Sequence, residues 1–142
     1  PLRALKFLNE AEFYANYLAQ ARVFVTWFRQ SLNARWSALN TIYPLRSSGR
    51  EAVAQAGEIL EIWQGLTRDL IMLNLGAPDL IQHAVLQPEL AATLAALAQT
   101  LTDQEDLNAY LADILNKLQR ASVYLQANVA PTYVLENILI NL

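Results

Sequence analysis

The chain predicts an all-α fold, a single helical bundle of six or seven helices. Apolar residues recur at steps of three and four along nearly its whole length, the spacing of one face of a helix. No stretch alternates apolar and polar residues as a half-buried strand does. The five prolines, with Gly49 and Gly76, fall where helices begin or end.

Taken in order, the pattern predicts a short apolar helix over Leu2 to Leu8, followed by a start at Asn9, which stands three residues before Glu12 as a cap stands before its carboxylate. A long helix then carries the stripe Tyr14, Tyr17, Leu18, Ala21, Phe24, Val25 and Phe28, with Val23 and Trp27 as a second apolar edge. Trp36, Leu39 and Tyr43 mark a third helix that Pro44 stops, and Tyr43 to Gly49 reads as loop. Ser48 and Glu51 have capping-box spacing and open a helix running to about Asn74, striped by Ile59, Ile62, Trp63, Leu66, Leu70 and Leu73. Gly76 suits the left-handed residue that closes such a helix. Gly57 and Gly65 cost about 1 kcal/mol each relative to alanine inside it, which suggests close helix contacts there.

Pro78 and Pro88 each suit a helix start, because the fixed φ is helical and the missing N–H has no partner in a first turn. Leu90, Leu94, Leu97 and Leu101 build the helix after Pro88. Thr102 with Glu105 is a third capping box, ahead of the most regular stripe in the chain: Leu107, Tyr110, Leu111, Ile114, Leu115, Leu118, Ala121 and Leu125. On its outward side Asp113 and Lys117 form an i,i+4 pair in the favourable order. The chain ends with an Asn128-Val129-Ala130-Pro131 elbow and a helix whose Val134, Leu135, Ile138, Leu139 and Leu142 share one face. That face predicts docking along the Leu107 to Leu125 helix, with Ile140 off the stripe and facing a partner.

With 142 residues the chain has room for one domain and one sizeable core, burying roughly two-thirds of its unfolded surface. Apolar residues make up 54% and charged residues 16%, against about 25% charged in an average domain. So few charges point to surface hidden against partners, since exposed apolar patches mark interaction sites. The competing account is the alanine share, Ala91, Ala92, Ala95, Ala96 and Ala98 among others, which raises the apolar count while exposing little. The net charge is −3, and the ten basic residues form no run. Affinity for nucleic acid needs clustered cations to neutralise phosphates, so little or no direct nucleic-acid binding is expected. The absence of cysteine excludes disulfides and thiolate metal sites and fits a reducing, cytoplasmic compartment. No apolar run reaches the 18 or so residues of a membrane span, and no signal peptide is visible. Because Pro1 is not methionine, the chain reads as a piece of a longer one.

No catalytic constellation, cofactor site or metal site emerges. His83 is the single histidine; with no second imidazole or thiolate as co-ligand it reads as a surface or cap residue. Glu-x-x-His pairs of di-iron bundles, phosphate-cradling glycine loops and Gly-x-Ser-x-Gly elbows are all missing. Glu58, Glu61 and Asp69 share a helix, and a solvated face explains them more simply than an acid–base pair, which needs environments that separate two pKa values. Trp63 lies on an apolar stripe and reads as core. For Trp36, core and protein interface are equally compatible with its short helix. Trp36 and Ile140 are therefore the two candidate interface residues, and no catalytic, cofactor-binding or metal-ligating residue is assigned.

Three stretches, in order, resemble the delta-prime subunits of bacterial DNA polymerase III clamp loaders. Leu2-Arg3-Ala4-Leu5 is similar to the Gly-x-x-x-Arg-Ala-Leu segment of the small lid domain in these AAA+ relatives. Trp63 with Arg68-Asp69-Leu70 and Leu75-Gly76 is similar to the family's Trp-(x)4-Arg-Asp-Leu helix ending in Leu-Gly. The Asn128 to Pro131 elbow with its terminal helix resembles the family's Asn-x-x-Pro end, although Thr132 stands where an arginine often follows the proline. Arg3 falls where relatives contact nucleotide, but delta-prime subunits do not hydrolyse it, and no site is assigned there.

The resemblance implies that residues 1–8 are the tail of a preceding AAA+ lid domain and residues 9–142 a helical collar domain. Such collars form a ring that holds the loader together while its AAA+ domains place the sliding clamp on primed DNA. The implied partners are the other loader subunits, delta and gamma/tau; this fragment itself is expected to be no enzyme. A gamma/tau relative is less consistent with the tryptophan helix and with a chain ending at the terminal helix. The alternative is a free-standing all-helical domain for protein interaction or small-molecule binding, unrelated to replication.

Overall fold

The computed structural model describes residues 2–43, 49–101 and 104–141, with backbone alone for 2–9 and 104–105. The described residues form six α-helices and no strand: α1 (Leu2–Trp27), α2 (Leu32–Ile42), α3 (Gly49–Asn74), α4 (Gln87–Thr100), α5 (Gln104–Gln126) and α6 (Pro131–Asn141). Single 3-10 turns at Pro78–Leu80 and Ala84–Leu86 connect α3 to α4, so the helix expected to start at Pro78 is corrected to one turn, which the chain leaves at Ile81 in extended conformation. None of these helices is long and apolar enough to cross a membrane.

The α3 helix is the axis of the bundle and touches α1, α4, α5 and α6. Its expected stripe is buried from Ile59 to Leu70, with Leu73 half-buried. Ala52, Ala56, Leu60, Gly65, Thr67 and Asp69 are buried as well, so burial extends well beyond one face. Trp63 is core, as its position predicts. It stacks on Phe24 at 5.4 Å and meets Trp27 edge-on at 4.6 Å. All three rings are fully buried, and neither indole N–H finds an acceptor among the described residues.

Two expectations for the first helix are corrected. The chain does not break at Asn9: α1 runs through it without interruption. The continuous backbone of residues 2 to 27 satisfies its own hydrogen bonds there, so Asn9 cannot serve as a cap. Tyr14 is half exposed, so the buried stripe begins only at Ala21, with Tyr17 and Leu18 half-buried against it. Trp27, the second edge, lies entirely inside. Residues Pro44, Ser48, Thr102 and Leu142, on which a stop, two caps and the end of a stripe were expected, lie outside the described residues.

The helix ends follow local chemistry. Ser31 caps α2 by accepting from the Ala34 N–H at 3.3 Å. At the end of α3, Gly76 has φ +76°, with Gly76 N–H bonded to Leu73 O at 3.1 Å and Ala77 N–H to Met72 O at 2.9 Å. That pair of bonds is a Schellman closure. The same closure ends α5 around Asn128, φ +64°, where Val129 N–H reaches Tyr124 O at 3.1 Å and Asn128 N–H reaches Leu125 O at 3.3 Å. Asparagine tolerates the left-handed region better than other residues with a Cβ.

The elbow then reverses the chain, and α6 lies against α5 as expected. It also reaches α2 and α3, because Val134, Leu135, Ile138 and Leu139 are all buried. Its C-terminal carbonyls receive cations from two sides: Lys117 Nζ donates to Asn141 O at 3.1 Å, and the Arg35 guanidinium lies 3.5 Å from Leu139 O. Positive charge at a helix C-terminus is favourable.

Leu135→Ala or Ile138→Ala should therefore lower stability by about 2–5 kcal/mol, as buried large-to-small changes do. Ile140 is 58% exposed, and Ile140→Ala should leave stability nearly unchanged. Chemical denaturation of the three variants checks this; equal small losses would mean that α6 is not packed as described.

Candidate functional site

Two features stand out from ordinary helix packing, one inside the bundle and one on its surface. The inner feature is a row of three polar side chains, Asp69, His83 and Tyr17. Asp69 projects from α3, Tyr17 from α1, and His83 from the segment between the two 3-10 turns. The Asp69 carboxylate is 2% exposed and accepts three hydrogen bonds: from the backbone N–H of Gln82 and of His83, each at 2.9 Å, and from His83 Nδ1 at 2.6 Å. The other ring nitrogen, Nε2, is hydrogen-bonded to the Tyr17 hydroxyl, and the two rings stack within 9° of parallel.

Both sequence expectations here are corrected. His83 does stand at the cap position of the second 3-10 turn, without a side-chain cap bond, but it is buried and not a surface residue, because Asp69 compensates its polar ring. Asp69 does not belong to a solvated face; only Glu58 and Glu61 do. Gly65 explains how the imidazole fits. A Cβ on residue 65 would stand 3.1 Å from His83 Cε1, so the close contact expected at Gly65 is with a loop side chain. At Gly57 the nearest atom is Leu125 Cδ2 on α5, at an ordinary 3.7 Å.

The order carboxylate, imidazole, hydroxyl resembles a nucleophile relay, but its electrostatics oppose that role. Burial, reinforced by the Asp69 charge, holds the Tyr17 phenol above its ordinary value of 10.0. A nucleophilic hydroxyl needs its proton made easier to remove, not harder. With Nδ1–H given to Asp69, Nε2 accepts the hydrogen bond of the Tyr17 hydroxyl, so both ring nitrogens are satisfied. The array is thus a tether that pins residues 82 and 83 to α3. It borders an open groove of about 1060 Å³ between α1 and α3, lined among others by Glu51, Glu58, Glu61, Arg68 and Phe13. The described residues hold no group of three or more His, Asp or Glu placed to bind a metal.

The outer feature is the face formed by α5 and α6. Val123, Tyr124, Tyr133 and Ile140 are all more than half exposed there. Tyr133 and Ile140 lie seven residues apart on one side of α6. An open groove of about 460 Å³ runs between the two helices, with Ala121, Val134 and Ile138 along its floor and Tyr124, Tyr133, Lys117 and Arg120 around it. Of the two candidate interface residues, Ile140 lies on this side of the molecule. Trp36 is half-buried on α2, packed against the core. Sequence periodicity could mark Ile140 as off-stripe, but it carried no signal for Tyr124 and Tyr133, whose partnership depends on how α5 and α6 pair. No family model, curated protein or solved structure matches the chain.

Removing the tether's centre should be costly. Asp69→Ala leaves a buried imidazole and two buried N–H groups without their acceptor, and a loss of about 3–5 kcal/mol is expected. Tyr17→Phe removes one hydrogen bond and should cost about 1 kcal/mol. Urea titration of both variants checks the ranking; a loss for Asp69→Ala as small as that of Tyr17→Phe would overturn the account.

The phenols also set an alkaline limit. Burial raises Tyr17, Tyr43 and Tyr110 above 10.0 in the folded chain. Above that pH the folded state holds more protons than the unfolded one, so stability is full below about pH 10 and declines as pH rises through the raised values. Melting temperatures across this range should fall in the wild type and fall less in Tyr17→Phe.

Proposed function

We propose that this chain is an interaction domain, the helical collar of a DNA polymerase III clamp-loader subunit of the delta-prime kind. It helps to hold the loader ring together while the sliding clamp is loaded during DNA replication. One observation carries the interaction reading: with only 16% of residues charged, eleven large apolar side chains remain between 40% and 66% exposed among the described residues. Where such side chains gather, as Val123, Tyr124, Tyr133 and Ile140 do on α5 and α6, exposed apolar surface favours association. The attachment to clamp loaders rests on the three ordered motifs, and the helical bundle with its reversed, docked terminal helix is compatible with them.

In this reading the partners are the collar domains of the delta and gamma/tau subunits, in the cytoplasm, and the fragment turns over no substrate. The inner Asp69 row supports a non-catalytic role, since its groups are committed to one another and its phenol is harder to ionise than usual.

Mixed with the collar domains of the other loader subunits of its own organism, the chain should co-migrate with them in gel filtration at about 10 μM, where an assembly of micromolar affinity is largely formed. It should bind DNA only in the weak non-specific range. Separate elution from every loader subunit, or submicromolar DNA binding at physiological salt, would refute the proposal.

A further inference from the structure

From Asp69 to the C-terminus the chain carries eight acidic residues and two basic ones, Lys117 and Arg120. Both basic residues line the groove between α5 and α6, and no carboxylate lines it among the described residues. Lys117 is held at the rim by Asp113, 2.9 Å away, and by the carbonyl of Asn141. Arg120 is exposed and makes no ion pair among the described residues. Between them the groove offers the buried side chains Val134 and Ile138 and the exposed rings of Tyr124 and Tyr133. An acidic half-chain has thus brought its only two cations to one apolar cleft.

We propose that this groove binds an acidic, apolar-faced segment of a partner protein. The segment's apolar side chains lie between Tyr124 and Tyr133, and its carboxylates meet Arg120 and Lys117. Tyrosine and arginine are the side chains most enriched at the energetic centres of such interfaces, and the sign of the charge selects the partner. A basic segment would leave Arg120 unpaired and add like charge beside Lys117. A nucleic acid would gain only about two neutralised phosphates there, too few for stable binding at physiological salt. This inference rests on the interaction reading above and is independent of membership in a clamp loader.

The test is fluorescence anisotropy of the 142-residue chain with labelled amphipathic peptides about four helical turns long. One peptide has Leu and Trp on one face and Glu on the other; its counterpart carries Lys in place of every Glu. The Glu peptide should bind at least about tenfold more tightly than the Lys peptide, with a preference that shrinks as salt rises. Arg120→Glu should abolish or reverse the preference, and Tyr133→Ala should weaken both peptides. Both positions are solvent-exposed, so thermal melts should match the wild type; if Arg120→Glu lowers the melting temperature, Arg120→Gln replaces it and should halve the preference or more.

Equal binding of the two peptides, no binding of either, or indifference to Arg120→Glu would overturn the proposal. So would an Arg120-dependent complex with a single-stranded oligothymidylate that displaces the peptide, or a groove-dependent dimer in sedimentation, each of which names a different occupant. Peptide binding lost while loader assembly persists removes the groove alone; assembly lost while peptide binding persists removes the loader reading alone.

Discussion

The rest of this structure depends on the burial of α3 around much of its circumference. A surface helix needs one apolar stripe, but this one is enclosed by α1, α4, α5 and α6 together and must present small or apolar groups toward each. Ala52 and Ala56 lie fully inside at its first turns, and Leu60, Trp63 and Leu66 fill its middle. Each fully buried large aliphatic side chain contributes about 1.5–3 kcal/mol relative to exposure. The cluster of Phe24, Trp27 and Trp63 adds ring contacts at 4.6 to 6.2 Å. Its two indole N–H groups, without an acceptor among the described residues, offset part of that gain, at about 1–3 kcal/mol each.

A helix enclosed in this way constrains the polar residues it carries. Thr67 is silent because its hydroxyl donates to the Trp63 carbonyl one turn back, at 2.8 Å. Asp69 has no such local solution. It is satisfied only because the chain returns after α3 and lays the N–H groups of Gln82 and His83 on its carboxylate. The two 3-10 turns flanking those residues are too short to be stable alone, and the carboxylate provides the fixed point around which they form. The buried polar row is therefore explained by the path of the chain, which leaves the molecule's available chemistry on its surface.

That surface is uneven. Toward α1 the α3 helix shows Glu51, Glu58 and Glu61, while the cleft between α5 and α6 shows cations and aromatic rings. One of these cations has a double duty. Lys117 pairs with Asp113 along α5, an exposed pair worth only a few tenths of a kcal/mol, and also meets the carbonyl end of α6. Arg35 does comparable work from α2, donating to the Trp27 carbonyl at 2.9 Å where α1 ends. Helix ends that would otherwise expose carbonyls are thus drawn together on one side of the bundle.

Much of this was determined locally and was legible from residues alone. The stripe from Ile59 to Leu70, the left-handed closure at Gly76, the start at Pro88, the Asp113–Lys117 pair and the docked face of α6 all follow from interactions between residues a few positions apart. The misreadings share a cause. Asn9 has the spacing of a cap, yet nothing in the sequence says that the helix before it will simply continue. Asp69 and His83 looked solvated because charge and solitude usually imply water; only the fold brings residues fourteen positions apart into a cavity that Gly65 leaves open. The pairing of Tyr124 with Tyr133, and the gathering of Lys117 and Arg120 beside them, was likewise decided in three dimensions. Periodicity reports which face of a helix turns inward, but the composition of a cleft depends on which two helices meet, and that is set by packing across the whole core.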